Sequence, residues 1–333
     1  MLRHRIAGAG APRSYFGLIS EATGSTRVIR TSGRLATIPA GVATLVPDEG
    51  GIVQRVRPNF FIIGAAKAGT TTLWHLLRQH PDIFMPELKE PWFLSHDDRY
   101  EKLGWSWYER LFRPGANCAA VGEASSCYCV TRLYPNAVRR LGRYFPDARL
   151  IYCVREPYAR IESAWKQCLV TQHPMPPDFA DAVRTYKLLI DSTRYGESLQ
   201  AFLGVFPRSQ IHIVLFDELS RTPVTVYGRC LEFLGVDPSF VPSDLTESKN
   251  RSADKRIDTP AYLALKRSWP ARIGRRILPP TMRKFFVRKL KQPVAEAVWT
   301  PELREWVRNA LEDDTRQFLQ LAGLDRDLWT SAV

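Results

Sequence analysis

Asn59-Phe60-Phe61-Ile62-Ile63-Gly64-Ala65-Ala66-Lys67-Ala68-Gly69-Thr70-Thr71-Thr72 is the stretch from which the rest of the chain is read. Its first six residues form an apolar run too short for a helix and rich in aromatic and β-branched side chains, which predicts a buried strand. From Thr70 the pattern changes. Leu73, Leu76 and Leu77 recur at helical spacing, and Pro81 follows His80, so a helix is expected to end there. The unit is strand, tight small-residue loop, helix.

A second unit of the same kind lies further along. Arg149 to Val154 reads as a strand, Arg155-Glu156 as a turn, and Pro157 to Leu169 as a helix with proline at its first position. Between the two units a strand is expected around Ala119 to Glu123 and a helix from Pro135 to Tyr144. Later, Ile211 to Phe216 reads as another buried strand, Thr222-Pro223 opens a helix that Gly235 ends, and Thr300-Pro301 opens a last long helix reaching Gly323. Strands alternating with helices predict an α/β fold, a P-loop-like parallel sheet flanked by helices on both faces. Ligands of such sheets sit outside the carboxyl ends of the strands, which places both special loops on one rim.

Gly64 and Gly69 have the separation of the nucleotide phosphate loop G-x-x-x-x-G-K-[ST], but Thr70 stands where that loop has its lysine, and Lys67 sits inside the loop. No acidic residue at the end of a later strand stands out as a magnesium partner. What remains is a set of backbone N–H groups at a helix N-terminus, suited to an anion bound without metal. Lys67, Ala68, Gly69, Thr70, Thr71 and Thr72 are therefore the candidate phosphate contacts. An ordinary loop and helix cap is the structural alternative.

This loop resembles the 5′-phosphosulfate loop of sulfotransferases that use 3′-phosphoadenosine 5′-phosphosulfate (PAPS), and the resemblance spans roughly residues 58 to 329. Val154-Arg155-Glu156-Pro157-Tyr158-Ala159-Arg160-Ile161-Glu162-Ser163-Ala164-Trp165 is similar to the same family's 3′-phosphate motif. The resemblance implies that Arg155 and Ser163 grip that phosphate, chemistry that suits a guanidinium and a hydroxyl near a helix start. Pro86-Glu87-Leu88-Lys89-Glu90-Pro91-Trp92-Phe93-Leu94 is similar to the segment of heparan-type and other carbohydrate sulfotransferases that carries the catalytic glutamate, which maps onto Glu90. Cytosolic small-molecule members use a histidine instead, and His96 is the alternative base. Gly122-Glu123-Ala124-Ser125-Ser126-Cys127-Tyr128 resembles a stretch the family places beside acceptor and cofactor, with Cys127 where a proline often follows the serine.

The implied activity is transfer of a sulfuryl group from PAPS to a hydroxyl or amine of a carbohydrate or glycolipid, with Glu90 taking the acceptor proton and Lys67 offsetting charge on the departing nucleotide. No metal is expected. A small-metabolite kinase would share the fold and first loop, but it would need a lysine after Gly69 and a magnesium carboxylate. His75 and His80, on or ending an amphipathic helix, read as structural, and Trp74, Trp105, Trp107 and Trp165 as core or cleft walls.

The remaining composition sets the surroundings. The chain has 333 residues, 45% hydrophobic and 24% charged, in the range of a globular protein. There is no run of about 18 apolar residues to span a membrane. Residues 1–55 are expected to be a disordered leader, their first 50 residues carrying only Glu21, Asp48 and Glu49 as acids, and 56–333 a single domain. Six cysteines without a CxxC pair, and no secretory signal, point to free thiols in a reducing cytoplasm.

The net charge of +13 is local: residues 251–291 hold thirteen Lys or Arg against Asp254 and Asp258, a balance of +11. Apolar residues interleave with the basic ones. An anionic membrane surface is thus an expected partner through 251–291, with peripheral attachment, beside a solvated helix packed on the core as the equal alternative. No nucleic-acid partner is expected. A purely anionic-surface binder would leave both phosphate loops without a use.

Overall fold

The computed structural model describes residues 43–48, 51–243, 256–258 and 291–329. The expected strand at 59–64 is β3 (Phe60–Gly64), every residue of it buried. Before it stand β1 (Ala43–Asp48) and β2 (Gly51–Val56), which pair antiparallel with Asp48 opposite Gly51. This hairpin occupies the end of the range that the sequence reading left without elements. Arg57, just after β2, donates from Nε to Glu109 Oε1 at 2.8 Å, and its guanidinium lies 5.3 Å from the Trp105 ring.

Among the described residues the core sheet has five parallel strands in the order β4-β5-β3-β6-β7: β4 (Ile83–Phe84), β5 (Ala120–Ala124), β3, β6 (Arg149–Val154) and β7 (Ile211–Leu215). Because successive side chains on a strand point to opposite faces, β6 shows how both faces are covered. Tyr152 meets the rings of Tyr195, on α7 (Tyr195–Leu203), and Phe318, on α10 (Pro301–Ala322). Its neighbour Cys153 points to the opposite face, on which α9 (Pro223–Leu234) packs against β6. The fold is the expected α/β sheet between helices.

Several predicted boundaries recur because local chemistry sets them. Pro135 opens α3 (Pro135–Tyr144), Pro157 opens α4 (Pro157–Val170), and Pro223 opens α9, each at a position whose N–H is not needed by the helix. Gly235 and Gly323 close α9 and α10 with φ of 71° and 69°, the left-handed conformation that ends many helices. The predicted helix after the first loop is α1 (Thr70–Leu77). His80 is structural: its Nε2 is 3.0 Å from Asp237 O, and Nδ1 accepts from Asp82 N at 3.0 Å.

Two regions to which the sequence reading assigned no element contain helices. Residues 95–117 hold α2 (Asp97–Arg110), broken by Gly104 at φ 70°, and residues 170–195 hold α5 (Phe179–Thr185) and α6 (Leu188–Asp191). The helix α8 (Phe216–Arg221) follows β7, and a short pair, β8 (Arg256–Asp258) with β9 (Lys291–Pro293), flanks the basic stretch. Most of that stretch, including the basic amphipathic segment read from the sequence, lies outside the described residues. All six cysteines are free thiols, and among the described residues no helix is long and apolar enough to cross a membrane.

Candidate active site

Three adjacent strands, β5, β3 and β6, deliver the candidate residues to one end of the sheet. The β3 strand runs into the loop Ala65–Gly69, held at its start by Ala65 N donating to Cys153 O at 2.5 Å and closed by Ala68 N donating to Ala65 O at 3.2 Å. Lys67, at φ 71°, and Gly69, at φ 89°, take left-handed backbone, which turns the chain sharply into α1. Gly69 is the residue before the first turn of α1 and carries no side-chain cap. The N–H groups of Thr70, Thr71 and Thr72 therefore have no acceptor inside the helix, and the positive end of its dipole opens on the loop. Gly69 is also sterically required: a Cβ there would stand 3.0 Å from Leu219 Cδ2 and 3.1 Å from Phe216 Cδ2.

At the end of β6, Arg155 reaches back toward that loop, with Nη1 3.5 Å from Lys67 O. Its guanidinium lies 4.4 Å from the Phe216 ring, its Nε is buried without a hydrogen-bond partner, and its carbonyl accepts from Tyr195 OH at 3.0 Å. Burial lowers its pKa from the usual value, the expected response of a cation drawn out of water. Glu156 caps α4, accepting from Tyr158 N at 2.8 Å and Ala159 N at 2.6 Å. Ser163 lies two turns into α4 and is only 4% exposed, so of the two residues expected to grip a 3′-phosphate, Arg155 is the more open.

The sequence reading missed Arg160. It is fully buried, with Nη2 donating to Leu189 O at 2.7 Å and Nη1 3.5 Å from Ala66 O, so a positive charge lies beneath the phosphate loop. Its place in the Arg155–Trp165 motif, on the buried face of α4, was the available signal.

Glu90 arrives from a different part of the chain. Its backbone N donates to Ala124 O at 2.9 Å, tying the segment to the end of β5, while Ser125 N and Cys129 N donate to Ile62 O and Ile63 O on β3 at 3.1 and 2.9 Å. The Glu90 carboxylate gathers four donors: Lys89 Nζ at 2.5 Å and Ser126 Oγ at 2.8 Å on Oε1, Ser126 N at 2.8 Å and Trp92 Nε1 at 2.9 Å on Oε2. This carboxylate is oriented by its surroundings before any ligand binds. Beside it His96 stacks between Trp92 and Tyr134, ring centroids 5.3 and 4.6 Å away, and its Nδ1 is 2.9 Å from Ser95 Oγ. Burial, then the charge of Arg99, lowers the His96 pKa.

Beneath the Glu90 segment, Glu123 at the end of β5 is fully buried, and burial raises its pKa to about 7. The sequence reading took in Glu123 only as part of the Gly122–Tyr128 stretch and gave it no role of its own, since a single acid in Ala120-Val121-Gly122-Glu123-Ala124 reads as an ordinary polar interruption of a strand.

With this geometry in view, similarity to known proteins adds its own test. Residues 57–264 match the model of the sulfotransferase domain. The chain is 31% identical over 211 residues to human heparan sulfate glucosamine 3-O-sulfotransferase 3A1, covering 61% of this chain and 49% of that protein. It is 27% identical over 199 residues to mouse heparan sulfate glucosamine 3-O-sulfotransferase 5, covering 56% of each. The chain thus spans about half the length of the curated relatives it matches. A crystal structure of a sulfotransferase from Alicyclobacillus acidocaldarius superposes with a TM-score of 0.59 at 26% identity, covering 83% of this chain and 99% of that one. The matched span takes in the phosphate loop, the Glu90 segment and the Arg155 motif together, and on it the chain belongs to the sulfotransferase domain family.

Proposed function

We propose that this protein transfers a sulfuryl group from PAPS to a hydroxyl or amine of a carbohydrate acceptor. The observation that carries the reading is the convergence of an anion-binding helix start, the Arg155 guanidinium and a pre-oriented Glu90 carboxylate on the ends of three neighbouring strands. The residues suit the donor: Thr70–Thr72 offer N–H groups to the 5′ side, and Arg155, with an unsatisfied buried Nε, offers charge to the 3′-phosphate. PAPS, when bound, supplies the electron-poor sulfur and a leaving phosphate. Lys67 and the α1 N-terminus stabilise negative charge on that leaving side. Glu90 holds the acceptor hydroxyl or amine by hydrogen bonding and takes its proton; Lys89, Ser126 and Trp92 keep the carboxylate aimed.

A carbohydrate acceptor is favoured over a small phenol because a glutamate rather than a histidine is so oriented, and because the similar human and mouse proteins are named for heparan sulfate glucosamine. A glycolipid held at an anionic leaflet is the second acceptor class, suited to the +11 charge of residues 251–291. Calorimetry with 3′-phosphoadenosine 5′-phosphate in EDTA, followed by transfer of radiolabelled sulfuryl group to glycans, glycolipids and phenols, tests the proposal. Tight binding of magnesium ATP with no affinity for the bisphosphate would refute it.

A further inference from the structure

Below Glu90 lies a second carboxyl group that the reaction does not touch. Glu123 receives two hydroxyl donors, Ser125 Oγ on Oε1 at 2.6 Å and Tyr108 OH on Oε2. The Ser125 hydroxyl is used twice, since Ser125 Oγ also accepts from Trp92 N at 3.2 Å. It has one hydrogen, and once that hydrogen is given to Glu123 only lone pairs face the loop. A lone pair is what the Trp92 N–H needs.

We propose that Glu123 is a positioning residue for the reaction: its carboxylate sets the direction of the Ser125 hydrogen bond and thereby holds the backbone of Trp92. Trp92 in turn aims Glu90 through its indole N–H, so the chain of contacts runs from Glu123 through Ser125 and Trp92 to the acceptor-facing carboxylate. A group of the same shape but mixed polarity would not serve. In Glu123→Gln one acceptor oxygen becomes an N–H₂ donor; facing Ser125, it reverses that hydroxyl, whose hydrogen then opposes the Trp92 N–H inside a closed core.

Charged and titratable groups face this carboxyl from each neighbouring element. Tyr108 comes from α2, Tyr128 from the segment after β5, and Glu90 from the loop above, while Arg57 acts on Tyr108 from the segment after β2. Burial outweighs the hydroxyl donors and brings its pKa to about 7, so the carboxylate form on which the hydroxyl polarity depends is gained as pH rises through neutrality.

The inference rests on the proposed role of Glu90, and the experiment separates the two. Hydrogen–deuterium exchange of the peptide spanning residues 91–96, measured on the full chain, reads the scaffold with no acceptor present. Glu123→Gln is expected to speed that exchange by about tenfold while the strands of the sheet stay protected. It is expected to lower kcat by at least about tenfold, with affinity for 3′-phosphoadenosine 5′-phosphate unchanged within about threefold. The kcat of the wild type should rise between pH 6 and 8, and the residual kcat of Glu123→Gln should lack that rise. Ser125→Ala, which removes the bridge and keeps the carboxylate, should speed exchange of the same peptide and serves if Glu123→Gln does not fold. Unchanged exchange at 91–96 in both variants, or an equal rise over the whole sheet, overturns the positioning role. Faster exchange in variants of a protein that transfers no sulfuryl group overturns the function instead.

Discussion

Glu90 and Trp92 flank Pro91 with φ of 61° and 54°, both in left-handed backbone, and are joined by a 2.9 Å hydrogen bond from the Trp92 indole to Glu90 Oε2. Left-handed conformations at non-glycine residues cost of order 1–3 kcal/mol each and persist where the surroundings over-determine them. Here they are over-determined: Glu90 N is held by Ala124 O, and Trp92 N by Ser125 Oγ. The reverse turn brings the two side chains side by side, and its effect is an aimed carboxylate. Trp92→Phe keeps an aromatic ring where His96 stacks and removes the donor. The expected result is a fall in kcat of about fivefold, the value of one hydrogen bond near 1 kcal/mol, with nucleotide affinity unchanged. Steady-state kinetics beside calorimetry checks it, and an unaltered kcat rejects the aiming role.

Glu90 and Arg155 should separate by kinetic signature. A proton acceptor acts in the transition state, whereas a phosphate clamp acts in the ground state as well. Glu90→Gln should lower kcat at least about tenfold and leave nucleotide binding near that of the wild type. Arg155→Ala, which also strips the cation from the Phe216 face, should weaken binding of 3′-phosphoadenosine 5′-phosphate by about ten- to a hundredfold. Full activity in Glu90→Gln together with none in His96→Ala would move the base to His96.

Gly69 offers a test of the loop itself. At φ 89° a side chain is strained, and its Cβ would press on Leu219 and Phe216, the residue that also lies beside Arg155. Gly69→Ala should destabilise the fold by about 1–2 kcal/mol and weaken nucleotide binding, because the turn that presents the α1 N–H groups must shift. Thermal melts and calorimetry on the same preparation suffice. Wild-type nucleotide affinity in this variant would show that the loop does not hold the ligand.

How much of this was legible beforehand follows from the kind of chemistry involved. The start of α4 was readable at Pro157, and β6 was readable because Leu150-Ile151-Tyr152-Cys153-Val154 is a buried run that needs no partner to be recognised. The helix α2 was not: Gly104 breaks it, and Asp97-Asp98-Arg99-Tyr100 has no apolar stripe, so its helicity comes from docking Tyr108 on Phe93. Glu90 was found only by family resemblance. The residues that aim it stood in the quoted segments without a role, since Ser126 is 36 positions away in sequence and contributes a backbone N–H as well as its hydroxyl. The role of Glu123 was hidden for a similar reason: its meaning lies in hydroxyls from α2 and from the segment after its own strand.

That buried acid should set stability and activity against each other. Burial raises the Glu123 pKa from 4.5 to about 7, so its neutral form is the one the folded state favours. The sign follows directly: the stability tied to this group is fully present below pH 4.5 and is lost as pH rises to about 7, a shift worth about 3 kcal/mol. Glutamine does not titrate, so the difference in unfolding free energy between the wild type and Glu123→Gln isolates the term from every other carboxylate. Denaturant melts at pH 5 and pH 8 should show the wild type losing about 3 kcal/mol relative to the variant. Over the same interval kcat of the wild type should rise, because only the ionised carboxyl accepts from both the Ser125 and the Tyr108 hydroxyls. Parallel stability curves for the two proteins would mean that Glu123 is ionised in both states across the range, and the opposition between stability and activity would not exist.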